Sequence, residues 1–223
     1  MKFRLNSDPW LEKILKKNCF NLELDKKHGK KFLSFPKGFI TCKLNAGNFK
    51  ELFYLQSKEF IFIDNQLTFI SEFEKKRIDN SCNLATANDE SHVLKLSKFL
   101  NNSRFHKDMN ISCKDSNLIK EHWIKNFFSG GRGDGLIISK EKNTINGFLL
   151  YLKKKEDLII DLIVVNPKKR RGNIGKNMVY FLSSLYKGLN IRAGTQSSNL
   201  IAINFYQKLG FRLLSSKIIL HRN

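Results

Sequence analysis

Val164-Val165-Asn166-Pro167-Lys168-Lys169-Arg170-Arg171-Gly172-Asn173-Ile174-Gly175-Lys176 joins an apolar run to a helical pattern through a basic, glycine-bearing turn. The run before it, residues 158–165, is almost continuously apolar, as a central strand covered on both faces requires. The pattern after it, from about residue 173 to 187, reads as a helix. A helix start leaves backbone N–H groups without acceptors, and the helix dipole adds partial positive charge to them. The turn therefore suits an anion such as a pyrophosphate, and Gly172 and Gly175 would let the backbone come close to it. It is neither a G-x-x-x-x-G-K-[ST] phosphate loop nor a G-x-G-x-x-G fingerprint. Taken alone it also reads as a plain strand, turn and helix whose basic residues serve solubility.

Downstream, Ile191 to Thr195 reads as a strand and residues 199–209 as a helix in which Asn199, Ala202 and Tyr206 fall near one face. That spacing aims the Tyr206 hydroxyl beside the neighbouring strand end, although the ring could equally pack with Phe205 in a core. A last strand covers residues 211–220. Upstream, Asp115 is placed to cap a helix carrying Leu118, Ile119, Trp123, Ile124 and Phe127, which stops at Ser129-Gly130-Gly131. Strands follow at residues 135–139 and 145–152. The second half thus reads α–β–β–β–α–β–α–β.

The first half opens on a helix start, Asn6-Ser7-Asp8-Pro9, with Ser7 or Asp8 as cap and Pro9 in the first turn. Strand-like runs lie at residues 20–24 and 39–44, a helix around Phe49, Leu52 and Phe53, and a strand or hairpin at residues 61–73. Residues 74–91 turn polar and lose apolar periodicity. The expected division is a small α/β domain over residues 1–88 and a second domain over residues 89–223.

The chain of 223 residues has a formal net charge of +20, with lysine well ahead of arginine. Its basic runs are short and dispersed, which points to a solvated surface rather than a nucleic-acid face, while a phosphate-bearing ligand would be attracted. No segment reaches the roughly 20 apolar residues of a membrane span, and the first ten residues lack a signal-peptide core, so a cytoplasmic protein is expected. Cys19, Cys42, Cys82 and Cys113 form no metal-ligand spacing, so they are expected to be reduced and structural, and no metal is expected.

Arg170-Arg171-Gly172-Asn173-Ile174-Gly175 resembles the R-x-x-G-x-G/A motif of the GNAT acetyltransferases, with Asn173 where glycine is usual. Residues 199–211 resemble the family's N-x-x-A-x-x-x-Y-x-x-x-G-F pattern at every marked position. Thr195-Gln196, the tail at residues 214–221, residues 102–108 and Glu121-His122-Trp123-Ile124 are similar to the bacterial TDP-fucosamine acetyltransferase group, which acetylates dTDP-linked amino sugars. The resemblance implies an α/β (α+β) GNAT fold with a mixed, mostly antiparallel central sheet after a small α/β domain. It implies acetyl-CoA as co-substrate, held by the backbone at Val164 and Val165, by the turn at Arg170, Arg171, Gly172, Asn173, Ile174, Gly175 and Lys176, and by Asn199. Tyr206 would protonate the departing thiolate, and Arg104, whose fork suits a diphosphate, would bind substrate unless paired with Asp108. Asp161 and His106 stand as alternatives for the base. The implied acceptor is the amine of a nucleotide-linked amino sugar, dTDP-linked, attacking the thioester directly. A peptide or other small-molecule amine, and a non-catalytic CoA-binding domain, are the competing readings, and a homodimer is left open.

Overall fold

The structure, a computed structural model, describes residues 1–25, 27–31, 33–72 and 81–223. The first half comprises β1 (Phe3–Ser7), α1 (Pro9–Leu15), β2 (Cys19–Leu24), β3 (Phe39–Asn45), α2 (Phe49–Gln56) and β4 (Ile61–Ser71). Then come β5 (Cys82–Leu84), α3 (Glu90–Ser97), α4 (Arg104–Lys107), α5 (Cys113–Phe128), β6 (Gly135–Glu141) and β7 (Thr144–Lys154). The last third is β8 (Asp157–Val165), α6 (Ile174–Leu185), β9 (Asn190–Gln196), α7 (Leu200–Lys208) and β10 (Arg212–Arg222).

One mixed sheet runs β1-β2-β3-β10-β4-β9-β8-β7-β6-β5. Among the described residues only β2–β3 and β8–β9 pair in parallel, so the sheet is mixed and mostly antiparallel as expected. Helices cover both faces at its centre. Met178, Val179 and Leu182 of α6 pack on Leu149, Leu158, Ile160 and Ala193, with Tyr206 and Leu209. On the other side Val93, Leu96 and Ile124, from α3 and α5, pack on Leu136, Phe148, Leu162 and Val164. That double cover explains the apolar run of β8, and each such buried side chain contributes about 1.5–3 kcal/mol.

The sheet does not break at the expected division at residue 88. β10 lies between β3 and β4, and β4 also pairs with β9, so strands from both halves interleave. Of the polar stretch expected to mark the division, residues 74–80 lie outside the described residues. The rest holds β5 and the start of α3, which the lapse of periodicity concealed. Three further readings are settled or corrected. Residues 61–71 are one strand rather than a hairpin, and Phe73 lies outside the described residues. The cap of α5 is Ser112, whose Oγ accepts from the Asp115 backbone N–H at 3.0 Å, so Asp115 sits in the first turn. β1 precedes α1, where Asp8 accepts from the Leu11 N–H at 3.1 Å and Pro9 fills the first turn.

Candidate active site

Parallel pairing of β8 with β9 runs from Asp157↔Asn190 to Ile160↔Ala193 and stops. Beyond that point the two strands diverge, and their facing backbone groups are free to take a ligand. A register shift against β7 coincides with the divergence: Tyr151 faces Ile160 and Leu150 faces Leu162, which leaves Asp161 as an extra residue. The bulge re-aims the Asp161 carboxylate, which accepts from Arg132 Nε and Nη2, both at 2.7 Å, and from Trp123 Nε1 at 2.8 Å.

A cavity of about 480 Å³ opens where the strands part, within the range of small-molecule sites. Arg104, Asn199 and Tyr206 line it, together with Asp161, Trp123 and Arg132. Tyr206 is buried, its ring among Phe69, Phe205 and Phe211 at centroid distances of 5.8, 5.2 and 5.3 Å. Burial pushes its phenol pKa above the ordinary value, so the hydroxyl keeps its proton at neutral pH. Asn199 is the cap of α7: its Oδ1 accepts from the Ala202 N–H at 3.2 Å, which leaves the amide NH₂ for a ligand.

Arg104 does not pair with Asp108. Its Nη1 donates to Thr41 Oγ1 at 2.7 Å and its guanidinium lies 4.7 Å from the Phe105 ring centroid. Asp108 is engaged instead by His221 Nδ1 at 2.8 Å and Asn223 Nδ2 at 3.3 Å. Neither base candidate is free. Asp161 already accepts three hydrogen bonds, and His106 sits between Ser103 Oγ at 2.7 Å and Asn117 Oδ1 at 2.9 Å, outside the cavity lining.

Val164, Val165 and residues 170–176 adjoin the cavity along the chain without lining it. The Val164 side chain belongs to the core beneath α3 and α5, so only its backbone can meet a ligand. In the turn, Arg171 and Asn173 have φ of 67° and 60°, so the left-handed positions are these two. Asparagine is among the residues that tolerate that conformation, so its presence in place of glycine keeps the turn. Gly175 also has a packing role. A Cβ there would lie 3.0 Å from the Phe205 ring, so the glycine lets α6 close on α7.

Three residues of the site have no motif to announce them. Asp64 on β4 accepts from Ser197 Oγ at 2.7 Å and Ser198 Oγ at 2.8 Å and pairs with Lys107 Nζ, tying the β9–α7 loop and α4 to the sheet. Burial opposes its charge, but the hydrogen bonds from Lys107, Ser197 and Ser198 prevail and hold its carboxyl below the usual range. Lys43 on β3 and Lys120 on α5 line the cavity, Lys120 with its Nζ 4.3 Å from the Trp123 ring centroid. A group of three or more His, Cys, Asp or Glu side chains able to hold a metal is absent among the described residues. No helix among them is long and apolar enough to cross a membrane.

Residues 103–211 match the model of the acetyltransferase (GNAT) family. Over 126 residues the chain is 29% identical to the spore coat polysaccharide biosynthesis protein SpsD of Bacillus subtilis (strain 168). That alignment covers 53% of this chain and 42% of the relative, so the chain spans less than half of the relative's length. A functionally unknown conserved protein from Staphylococcus epidermidis ATCC 12228 superposes with a TM-score of 0.64 at 12% identity, over 92% of this chain and 84% of the other. A putative GNAT acetyltransferase from Novosphingobium aromaticivorans DSM 12444 superposes at 0.52 and 12% identity, over 73% and 65%. At such identities these two likenesses speak for the fold.

Proposed function

We propose that this chain, whose residues 103–211 match the GNAT acetyltransferase family, transfers acetyl from acetyl-CoA to the amine of a nucleotide-linked amino sugar, with dTDP as the nucleotide. The observation that carries the acceptor class is the charge of the cavity. Lys43, Arg104, Lys120, Arg132 and Arg192 line it, and Asp161, its lining carboxylate, is held by Arg132. Such a cleft attracts a diphosphate and repels the cationic side chain of a peptide lysine, which disfavours the peptide reading. The name of the Bacillus relative, a polysaccharide biosynthesis protein, supports a sugar acceptor. A reducing, cytoplasmic setting fits the four cysteines, none of which is joined in a disulfide among the described residues.

The residues present fit the coenzyme. The first turn of α6 offers unpaired N–H groups for its pyrophosphate, and the parted strands offer backbone groups for its arm. The acceptor amine, in its uncharged form, attacks the thioester carbonyl; a C–N bond forms and the C–S bond breaks. Cations around the cleft favour that uncharged form, and water carries the amine's proton away, Asp161 and His106 being engaged. Tyr206 donates its proton as sulfur departs. A phenol with a raised pKa is a weaker acid than a thiol of about 8.5, so donation to the departing sulfur is uphill by itself and is completed when the proton released by the amine reaches the phenolate through water.

The test is thiol release from acetyl-CoA with a panel of dTDP- and UDP-linked amino sugars beside lysine peptides. Turnover on an amino sugar nucleotide well above that on peptides is expected. Faster turnover on peptides would reverse the assignment.

A further inference from the structure

Lys43, Arg104 and Lys120 come from β3, α4 and α5 and meet in the cavity wall. No carboxylate lies within ion-pair distance of any of them among the described residues. Lys120 is only 8% exposed, and its neighbour is the Trp123 ring. Arg104 has the Thr41 hydroxyl, which carries no charge. The other charged groups facing this cluster are accounted for. Arg132, after α5, is matched by Asp161 on β8, and Arg192 on β9 is matched by Asp157 at 2.9 Å. Lys217 on β10 adds a further cation near Lys43, and Asp8 acts on Arg104 from a distance. Enclosing cations together without a counter-charge is unfavourable, and a doubly charged ligand reverses that.

We propose that Lys43, Arg104 and Lys120 form a subsite for the diphosphate of the acceptor, separate from the coenzyme's phosphate turn. The acceptor's identity rests on the reading above; the anion subsite itself does not need acetyl transfer. Filling the subsite should also draw protons from solvent, as the lysines' surroundings imply. Burial first, then Arg104 and Arg132 against the pull of Asp161, lower Lys120 to about 8. Lys43 is open to the cleft's solvent, yet enclosure by the walls, with Arg104, Lys217 and Arg132, lowers it to about 7. Arg104, lowered by burial to about 10, stays charged. A diphosphate set among these groups favours the ammonium forms and raises both lysine pKa values. Binding is therefore strongest below the free-cleft values. Its lysine component is lost as pH rises from about 7 through the higher values of the complex.

The experiment titrates dTDP, inorganic pyrophosphate and thymidine into the protein saturated with CoA, so that the other phosphate site is filled. Calorimetry in buffers of different ionisation enthalpy reads the protons taken up. At pH 8, where the terminal phosphate of dTDP is already ionised, dTDP should bind with net proton uptake, pyrophosphate should compete with it, and thymidine should bind at least about tenfold more weakly, the scale of one charge-assisted hydrogen bond. Lys43→Met, at a solvent-open position, and Lys120→Met should each weaken dTDP by about tenfold. Lys120→Arg should keep the affinity while reducing the uptake, because arginine is charged at every pH used. Equal binding of dTDP and thymidine, absent proton uptake in the unmodified protein, or lysine variants within about twofold would overturn the subsite. If dTDP binds as described and no amino sugar is acetylated, the subsite stands and the acceptor reading falls.

Discussion

The Tyr206 ring is held by its aromatic neighbours whether or not it carries a hydroxyl. Tyr206→Phe should therefore lower kcat by about 10²–10⁴-fold, the range of general acid catalysis, while the KM for acetyl-CoA and the Tm stay close to those of the parent. A loss below about tenfold would mean that water protonates the thiolate and that the residue serves packing. The control for packing is Phe69→Leu, since Phe69 is buried beside Tyr206 and away from the phosphate turn, whereas Phe205 also supports Gly175. It should cost roughly 1 kcal/mol of stability and leave turnover per folded molecule nearly unchanged. Tyr206, Asn199 and Asn173 were legible in the sequence because their spacing within one turn or one helix carries their geometry. Lys43, Asp64 and Lys120 were not, since no local pattern sets them apart, and the cavity wall and the β9–α7 loop that give them their place are assembled from elements far apart in the chain.

Between elements, the contact of α6 with α7 governs how the phosphate turn lies relative to Tyr206. Gly175 begins one helix, and the Phe205 ring of the other fills the space its side chain would need. Gly175→Ala should gain about 1 kcal/mol of helix propensity and lose a similar amount to crowding, so the Tm should move little. The α6 start must shift by a few tenths of an ångström, so the KM for acetyl-CoA should rise several-fold, by roughly 1 kcal/mol of binding, at nearly unchanged kcat. A fall in Tm with KM unchanged would show that the contact serves the core and not the coenzyme. Elements with strong periodicity or a capping signal, such as β8, α6 and α7, were readable from the sequence, with ends shifted by a residue or two. β1 and α3 were missed for want of such signals: β1 is short and half-exposed, and α3 starts inside a polar stretch. The parallel β2–β3 pairing and the place of β10 depend on contacts across the whole chain, which no local pattern encodes.

At the scale of the molecule, the position of β10 makes the two halves depend on each other. Ile218 and Leu220 of β10 are buried with Phe3, Leu22, Ile40, Leu44 and Leu55 of the first half. Its backbone is paired on one side with β3, from Lys217↔Asn45 to Arg222↔Ile40, and on the other with β4. A fragment of residues 89–223 keeps the coenzyme turn and Tyr206 but loses both neighbours of β10 and the β4 side of β9. Exposing Ile218 and Leu220 alone forfeits about 1.5–3 kcal/mol each, against a total stability of roughly 5–15 kcal/mol for a domain. The stripped strand also presents unpaired edges that invite aggregation. The fragment is therefore expected to be unfolded or aggregated, and the full chain to unfold in one transition seen alike by tryptophan fluorescence and far-ultraviolet circular dichroism. A fragment with dispersed amide resonances and full affinity for acetyl-CoA would instead show that residues 89–223 are an autonomous domain. Even then the cavity would lack Lys43 and the Thr41 hydroxyl that holds Arg104, so dTDP should bind only after residues 1–88 are added back in trans.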